Sequence, residues 1–225
     1  MTVRNSISRF AVLDGFYLKL IAVVTMIIDH IGLTLFPGEM IWRMIGRLSF
    51  PIYCFLIVEG FYHTRDIKKY ISRLAIFAFI SEVPFDLVVN GSIIDISSQN
   101  VFFTLLIGLL TIYGMNMTIN EFKKSCILVI GMLASIILFT DYTCYGVILI
   151  YLFYHMRDSR LFACIIAALM GIVMGRIQMC AAFAMIPIMM YSGRKGPAIA
   201  DNVVIKYGFY IIYPVHLLIL WLLKA

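Results

Sequence analysis

Charge is scarce in this sequence. Only 13% of its 225 residues are Asp, Glu, Lys or Arg, and 63% are hydrophobic. An average soluble domain carries roughly 25% charged residues. No water-soluble fold of this length hides so much apolar surface, so lipid has to cover it. A hydrophilic domain is missing as well. The longest polar stretches, near 90–100 and 192–206, are loops in length and composition. There is no Walker loop, no G-x-G-x-x-G, no G-x-S-x-G elbow and no H-E-x-x-H pair, which removes the usual sequence grounds for a nucleotidase, a dinucleotide enzyme, a serine hydrolase or a zinc protease. No metal site is expected, and nothing favours nucleic acid. Low-complexity segments and internal repeats are absent too. Cys54, Cys126, Cys144, Cys164 and Cys180 form no C-x-x-C pair and all fall in apolar stretches. They read as buried thiols that pack as small hydrophobes.

What remains is a series of apolar runs. A crossing needs about 20 mainly apolar residues, fewer where a helix is packed inside a bundle. The sequence predicts about nine spans, at 18–36, 44–62, 70–89, 101–118, 125–140, 142–155, 161–175, 177–191 and 207–224. Eight spans with one re-entrant segment is the alternative. The expected fold is thus an all-α, polytopic integral membrane bundle. It forms one domain over 1–225, with a short cytoplasmic segment 1–17. That segment does not read as a signal peptide, because the apolar run behind it is too long and contains Asp29 and His30.

The basic residues set the orientation. With the N-terminus inside, cytoplasmic segments carry Arg4, Arg9, Arg65, Lys68, Lys69, Lys123, Lys124, Arg157, Arg160, Arg194, Lys195 and Lys206. The opposite side receives Arg43, Arg176 and Lys224. That asymmetry predicts N-in, C-out and an odd number of crossings. The setting is a bacterial cytoplasmic membrane, with the lipid bilayer as the first partner.

A charge in hydrocarbon is costly unless paired or hydrated, so ionisable residues inside spans are functional candidates. Lys19 and His30 lie eleven residues apart, close to three helical turns, and share a face. Asp29 points about 100° away from His30. His30 is the natural proton acceptor, since imidazole titrates near neutrality. Arg43 and Arg47, four apart, open the second span. Glu82 and Asp86, four apart with Pro84 between them, close the third. Asn100, Asp141, Tyr142 and His216 complete an outer polar cluster, and Asp29 is expected to pair with an arginine or a second helix. Glu59 and His63 lie at the other face, beside Arg65, Lys68, Lys69 and Arg73, where phosphates or anionic lipid would bind.

The stretches LKLIAVVTMIIDHIG, RMIGRLSFPIYCFLIVEGFYHTRDIKKYISRL and ISEVPFDL resemble the TraX family of membrane acetyltransferases. NVFFTLLIGLL, DYTCYGV, SGRKG and KYGFYIIYPVHLLIL follow in the same order. A more distant similarity, to acyltransferase-3 type membrane proteins, lies in a basic residue eleven before a His, here Lys19 and His30, and in a His in the last span, here His216. This sequence has Lys where that group usually has Arg, and Pro214 precedes the His.

The resemblance implies transfer of acetyl from acetyl-CoA to a peptide, protein or small-molecule acceptor, with N- and O-acylation both open. His30, Asp29 and Arg47 would be catalytic: His30 as base, and Arg47, or a backbone donor near it, as oxyanion stabiliser. Arg43, Glu59, Glu82, Asp86, Asn100, Asp141, Tyr142 and His216 would support them. Lys19, Arg65, Lys68, Lys69, Arg73, Arg194 and Lys195 would meet the phosphates of the donor. A homo-oligomer is compatible with the sequence. The alternative class is a proton-coupled transporter or channel, since intramembrane Asp, Glu, Arg and His also build ion pathways.

Overall fold

The computed structural model describes residues 11–198 and 202–224. Arg4, Arg9 and most of the expected N-terminal segment lie outside the described residues. The described chain is helical, with two isolated backbone bridges and no strand. Its helices are α1 (Gly15–Thr34), α2 (Met40–Gly46), α3 (Ser49–His63), α4 (Ile67–Val89), α5 (Val101–Asn116), α6 (Glu121–Ile137), α7 (Thr143–His155), α8 (Arg160–Val173), α9 (Met185–Met189) and α10 (Val203–Lys224). Short 3-10 turns occupy Arg157–Ser159 and Gln178–Ala184.

Local chemistry explains the helix starts. Asp14 caps α1 by accepting from the amides of Phe16 and Tyr17. Asp66, Asn100 and Asn120 cap α4, α5 and α6 in the same way. Each side chain satisfies an amide that the first turn leaves without a partner. A two-residue break at 47–48 separates α2 from α3. Pro51 has no N–H for the Arg47 carbonyl, so the helical ladder is interrupted there.

Every expected span falls on helical structure, with three differences. The second span is broken at 47–48. The eighth is a 3-10 turn followed by a five-residue helix rather than a continuous α-helix. The last helix begins at Val203, inside the stretch expected to be loop, because the Asn202 side chain accepts from the Val204 amide at 2.8 Å and starts it early. Among the described residues, three helical stretches suffice by length and composition to cross a membrane: Gly15–Thr34, Met40–His63 and Val203–Lys224. Val101–Asn116 and Thr143–His155 are apolar but shorter. Sixteen residues of α-helix reach about 24 Å, less than the ~30 Å hydrocarbon core. Large side chains stand bare on the outer faces, with Phe79 70%, Ile137 68% and Val173 84% exposed. So much uncovered apolar surface marks a membrane-associated protein. Of the five cysteines, Cys54, Cys164 and Cys180 are buried, but Cys126 is exposed. It sits on a bare apolar face of α6, which an apolar stretch does not distinguish from a core face.

The chain divides into two compact units. The first takes residues 11–56, 156–198 and 202–212, with Lys224; the second takes 57–155 and 213–223. In the first, α1 packs along α2, and α8 packs on the 3-10 turn Gln178–Ala184 and on α9. In the second, α5 packs between α4, α6 and α7. Two glycines allow these close approaches. A Cβ on Gly108 would collide with Ile150, and one on Gly131 with Thr111. The cores contain Leu18, Phe50 and Ile52 in the first unit and Leu74, Leu109 and Leu149 in the second, all nearly fully buried.

Candidate active site

The first unit contains a charged trio around one buried carboxylate. Asp29 sits in the second half of α1 with 9% of its surface exposed. Arg43 Nη1 donates to Asp29 Oδ2 at 2.8 Å. Arg47 Nη2 donates to Oδ1 at 3.0 Å and to Oδ2 at 3.1 Å. The two arginines are four residues apart, one helical turn, so they reach the carboxylate from one face. Arg47 Nε also donates to the Arg43 carbonyl at 3.4 Å, which steadies the guanidinium. Charge-assisted bonds of this length compensate the cost of taking these ions out of water. One carboxylate against two guanidiniums leaves this trio with one positive charge. Such a site favours negative charge developing beside it.

His30 follows Asp29 on α1 and is half-buried. Its carbonyl accepts from the Thr34 hydroxyl at 2.6 Å, a bond within the helix itself. Eleven residues earlier, Lys19 is exposed, with its Nζ 5.8 Å from the centre of the Phe209 ring. Lys195 and Lys206 are its charged neighbours. The 192–198 loop is brought there by backbone bonds: Leu13 N–H to the Met190 carbonyl at 3.0 Å, Ser192 N–H to Leu13 at 2.7 Å and Gly15 N–H to Arg194 at 2.8 Å. Gly196 makes the turn with φ +129°, where a side chain would also press on Phe16. Lys206 comes to Lys19 separately, from the first turn of α10.

The second unit contains the other candidate carboxylates, Glu59, Glu82, Asp86 and Asp141. Asn100, fully buried, turns its backbone N–H and its side-chain amide onto Oε2 of Glu82. The same amide donates to the Ala78 carbonyl at 2.8 Å, and Oδ1 caps α5 at Phe102. Asp86 is 1% exposed and accepts from the Asn90 side chain at 3.0 Å and the Asp95 amide at 2.9 Å. Both carboxylates, Glu82 and Asp86, are thus met by amide donors. Tyr213, 2% exposed, has its ring 5.1 Å from Phe102 and 5.6 Å from His216. Asp141, Glu82 and Tyr142 are its electrostatic neighbours. Asn90 and Ser98, bonded to each other at 3.2 Å, were not anticipated. The polar tract SSQN was the available signal.

Among the basic candidates of this unit, Lys69 pairs with Asp66 at 3.4 Å. The Lys69 amide, donating to the exposed Asp66, holds that carboxyl below its usual range. Arg73 lies over the Tyr70 ring at 5.8 Å. Glu59 is 8% exposed and meets His63 at 3.4 Å. Among the described residues, no group of three or more His, Cys, Asp or Glu is gathered for a metal ion.

A family model described as TraX protein matches residues 15–224. The chain belongs to the TraX family. The match covers α1 to α10 and both units, as the ordered motifs of the sequence implied. The chain is similar to the probable fimbrial assembly protein FimC, serogroup H1, of Dichelobacter nodosus, at 29% identity over 245 residues. That alignment covers 95% of this chain and 96% of the relative. It is also similar to the uncharacterized protein RP591 of Rickettsia prowazekii (strain Madrid E), at 42% identity over 66 residues. That second likeness covers 29% of this chain and 25% of RP591. No solved structure matches. Both ends of the Lys19–His30 face and the Asp29–Arg43–Arg47 trio lie within the region matched to the TraX family.

Proposed function

We propose that this chain is a membrane-embedded acetyltransferase that moves acetyl from cytosolic acetyl-CoA to an amine, a peptide or protein N-terminus, in a process related to fimbrial assembly. In this reading it is a multi-pass protein of the bacterial cytoplasmic membrane, with nine crossings and its N-terminus inside. The uneven distribution of basic residues supports that orientation.

The observation that carries the proposal is the layout of α1. Its first turns bear Lys19, with Lys195 and Lys206 as charged neighbours. Eleven residues on, about 16 Å along the helix, His30 stands next to the carboxylate that both arginines grip. A long acyl carrier with phosphates at one end and a thioester at the other fits that spacing. Lys19, Arg194 and Lys195 would take the phosphates. Arg65, Lys68, Lys69 and Arg73 would attract polyanions on the second unit.

The chemistry is an acyl exchange. The acceptor nitrogen attacks the thioester carbonyl carbon, the C–N bond forms, and the C–S bond breaks. His30 takes the proton released by the nitrogen. The CoA sulfur leaves as a thiolate and is protonated. Arg47 faces the oxyanion of the tetrahedral stage, and Asp29 fixes Arg47 for that task.

The test is transfer from labelled acetyl-CoA to a peptide amine by the purified protein. His30→Ala is expected to abolish transfer while expression stays near normal; full turnover in that variant would remove His30 from the mechanism. Acetyl-CoA is also expected to raise the melting temperature of detergent-purified protein when simple ions and solutes do not. The opposite pattern would favour proton-coupled transport.

A further inference from the structure

We propose that Gly46 is the positioning residue of the charged trio: its missing side chain is what allows one carboxylate, Asp29, to hold two guanidiniums of α2 at once. The inference rests on the role given above to Asp29 and Arg47. It adds a residue with no functional group of its own.

Arg43, Gly46 and Arg47 stand at i, i+3 and i+4, and Arg47, the C-cap of α2, keeps helical backbone angles, so the three share one face. The face therefore reads arginine, gap, arginine. Gly46 is buried. A Cβ built on it falls on the side chain of Asp29, overlapping Cβ, Cγ and Oδ1 together. The carboxylate fills the space an alanine methyl would need. From that seat it reaches Arg43 on one side and Arg47 on the other, with bonds of 2.8 to 3.1 Å. Asp is too short to reach both from elsewhere, since its carboxylate is one bond beyond Cβ. A methyl at Gly46 must rotate Asp29 out of the gap or lift α2 from α1; both break the trio.

A reciprocal contact gives the control. Gly32, three residues after Asp29 on the same face of α1, receives the Trp42 side chain of α2. Trp42 stacks on Phe36 at 5.1 Å and donates to Glu39 at 2.9 Å. Both glycines let the helices approach, but Gly32 faces an aromatic ring while Gly46 faces the charge. Small residues at helix contacts in membranes commonly serve close approach; only Gly46 should be coupled to Asp29.

The experiment is a double-mutant cycle on the full chain in detergent, with Gly46→Ala, Asp29→Ala and both together. Melting temperature, kcat and KM for acetyl-CoA are read for each. Gly46→Ala should lower the melting temperature. It should also lower kcat by about a hundredfold, the scale of an ångström-sized misplacement, with KM for acetyl-CoA near the parent value. In the Asp29→Ala background it should cost much less, because the colliding carboxylate is gone and only the Cβ of residue 29 is left in the gap. Gly32→Ala should add its loss on top of Asp29→Ala. Additive losses from Gly46→Ala and Asp29→Ala overturn the proposal. So does a Gly46→Ala protein with the parent melting temperature and kcat. If Gly46→Ala does not fold, recovery of a folded protein when it is combined with Asp29→Gly, which leaves no Cβ in the gap, supports the coupling, and failure there overturns it. Full transfer by Asp29→Ala would sink the functional reading of the trio, while the melting cycle still decides the Gly46–Asp29 relation.

Discussion

Asn100 directs both its backbone N–H and its side-chain amide onto Oε2 of Glu82, eighteen residues earlier in the chain. The same residue caps α5. One side chain thus starts a helix, pins α4 to α5 and holds a carboxylate in place. Asn100→Ala removes the cap, at about 1 kcal/mol, and deprives a partly buried carboxylate of a donor, at about 1–3 kcal/mol. The expected loss is about 2–4 kcal/mol, read as a lower melting temperature in detergent. Asn100→Asp should cost more at neutral pH, because it sets a second carboxylate against the first. Its deficit should shrink as the pH falls and one of the two is protonated. A pH-independent deficit would show that Asn100 matters only as a cap.

The two arginines on Asp29 are not equivalent. Arg47 touches both carboxylate oxygens and its side chain is 14% exposed; Arg43 touches one oxygen and is 27% exposed. Lysine cannot reproduce a guanidinium that bridges two oxygens while bonding a carbonyl. Arg47→Lys should therefore cost more than Arg43→Lys, by about 1–2 kcal/mol in stability, the worth of a charged hydrogen bond. The activity loss should follow the same order. Equal penalties would mean that the trio behaves as two interchangeable cations.

The lysines beside Lys19 offer a salt-dependent test. Lys195→Ala combined with Lys206→Ala removes two charges from that neighbourhood. The KM for acetyl-CoA should rise severalfold at low ionic strength. The difference from the parent should narrow in high salt, where the Debye length falls to about 3 Å at 1 M. A KM that does not respond to the double substitution would place the phosphates elsewhere, and the corresponding change at Lys68 and Lys69 is the comparison.

The helices were legible because their signals are local. Asp14, Asp66, Asn100 and Asn120 each precede an apolar run, and each is a cap in the structure. Residues 177–191 misled because an apolar run has the same composition whether it winds as α-helix or 3-10 turn; its period alone does not separate them. The site was half legible. Asp29, Arg43 and Arg47 stood out as charges in apolar sequence, and an arginine partner for Asp29 was expected. That both arginines would share one carboxylate was not readable, because it depends on how α2 folds back along α1. Gly46 gave no signal, since its contribution is an empty volume that exists only once Asp29 is seated in it. Glu82 and Asp86 carried the same kind of signal as Asp29 and turned to amides, because Asn90 and Asn100 lie nearer along the chain.

The backbone lashing between Leu13 and Gly15 on one side and Met190, Ser192 and Arg194 on the other has a bearing on biogenesis. Its two halves are far apart in the sequence and are made at well-separated times. While the intervening helices are synthesised, the first turn of α1 has no loop to hold it, and Lys19 stands apart from Lys195 and Lys206. The basic neighbourhood is completed only when the last helix follows. In the proposed reading, a nascent chain therefore has Lys19 without its two lysine neighbours until the loop and α10 are made, and this part of the donor-binding charge is assembled late.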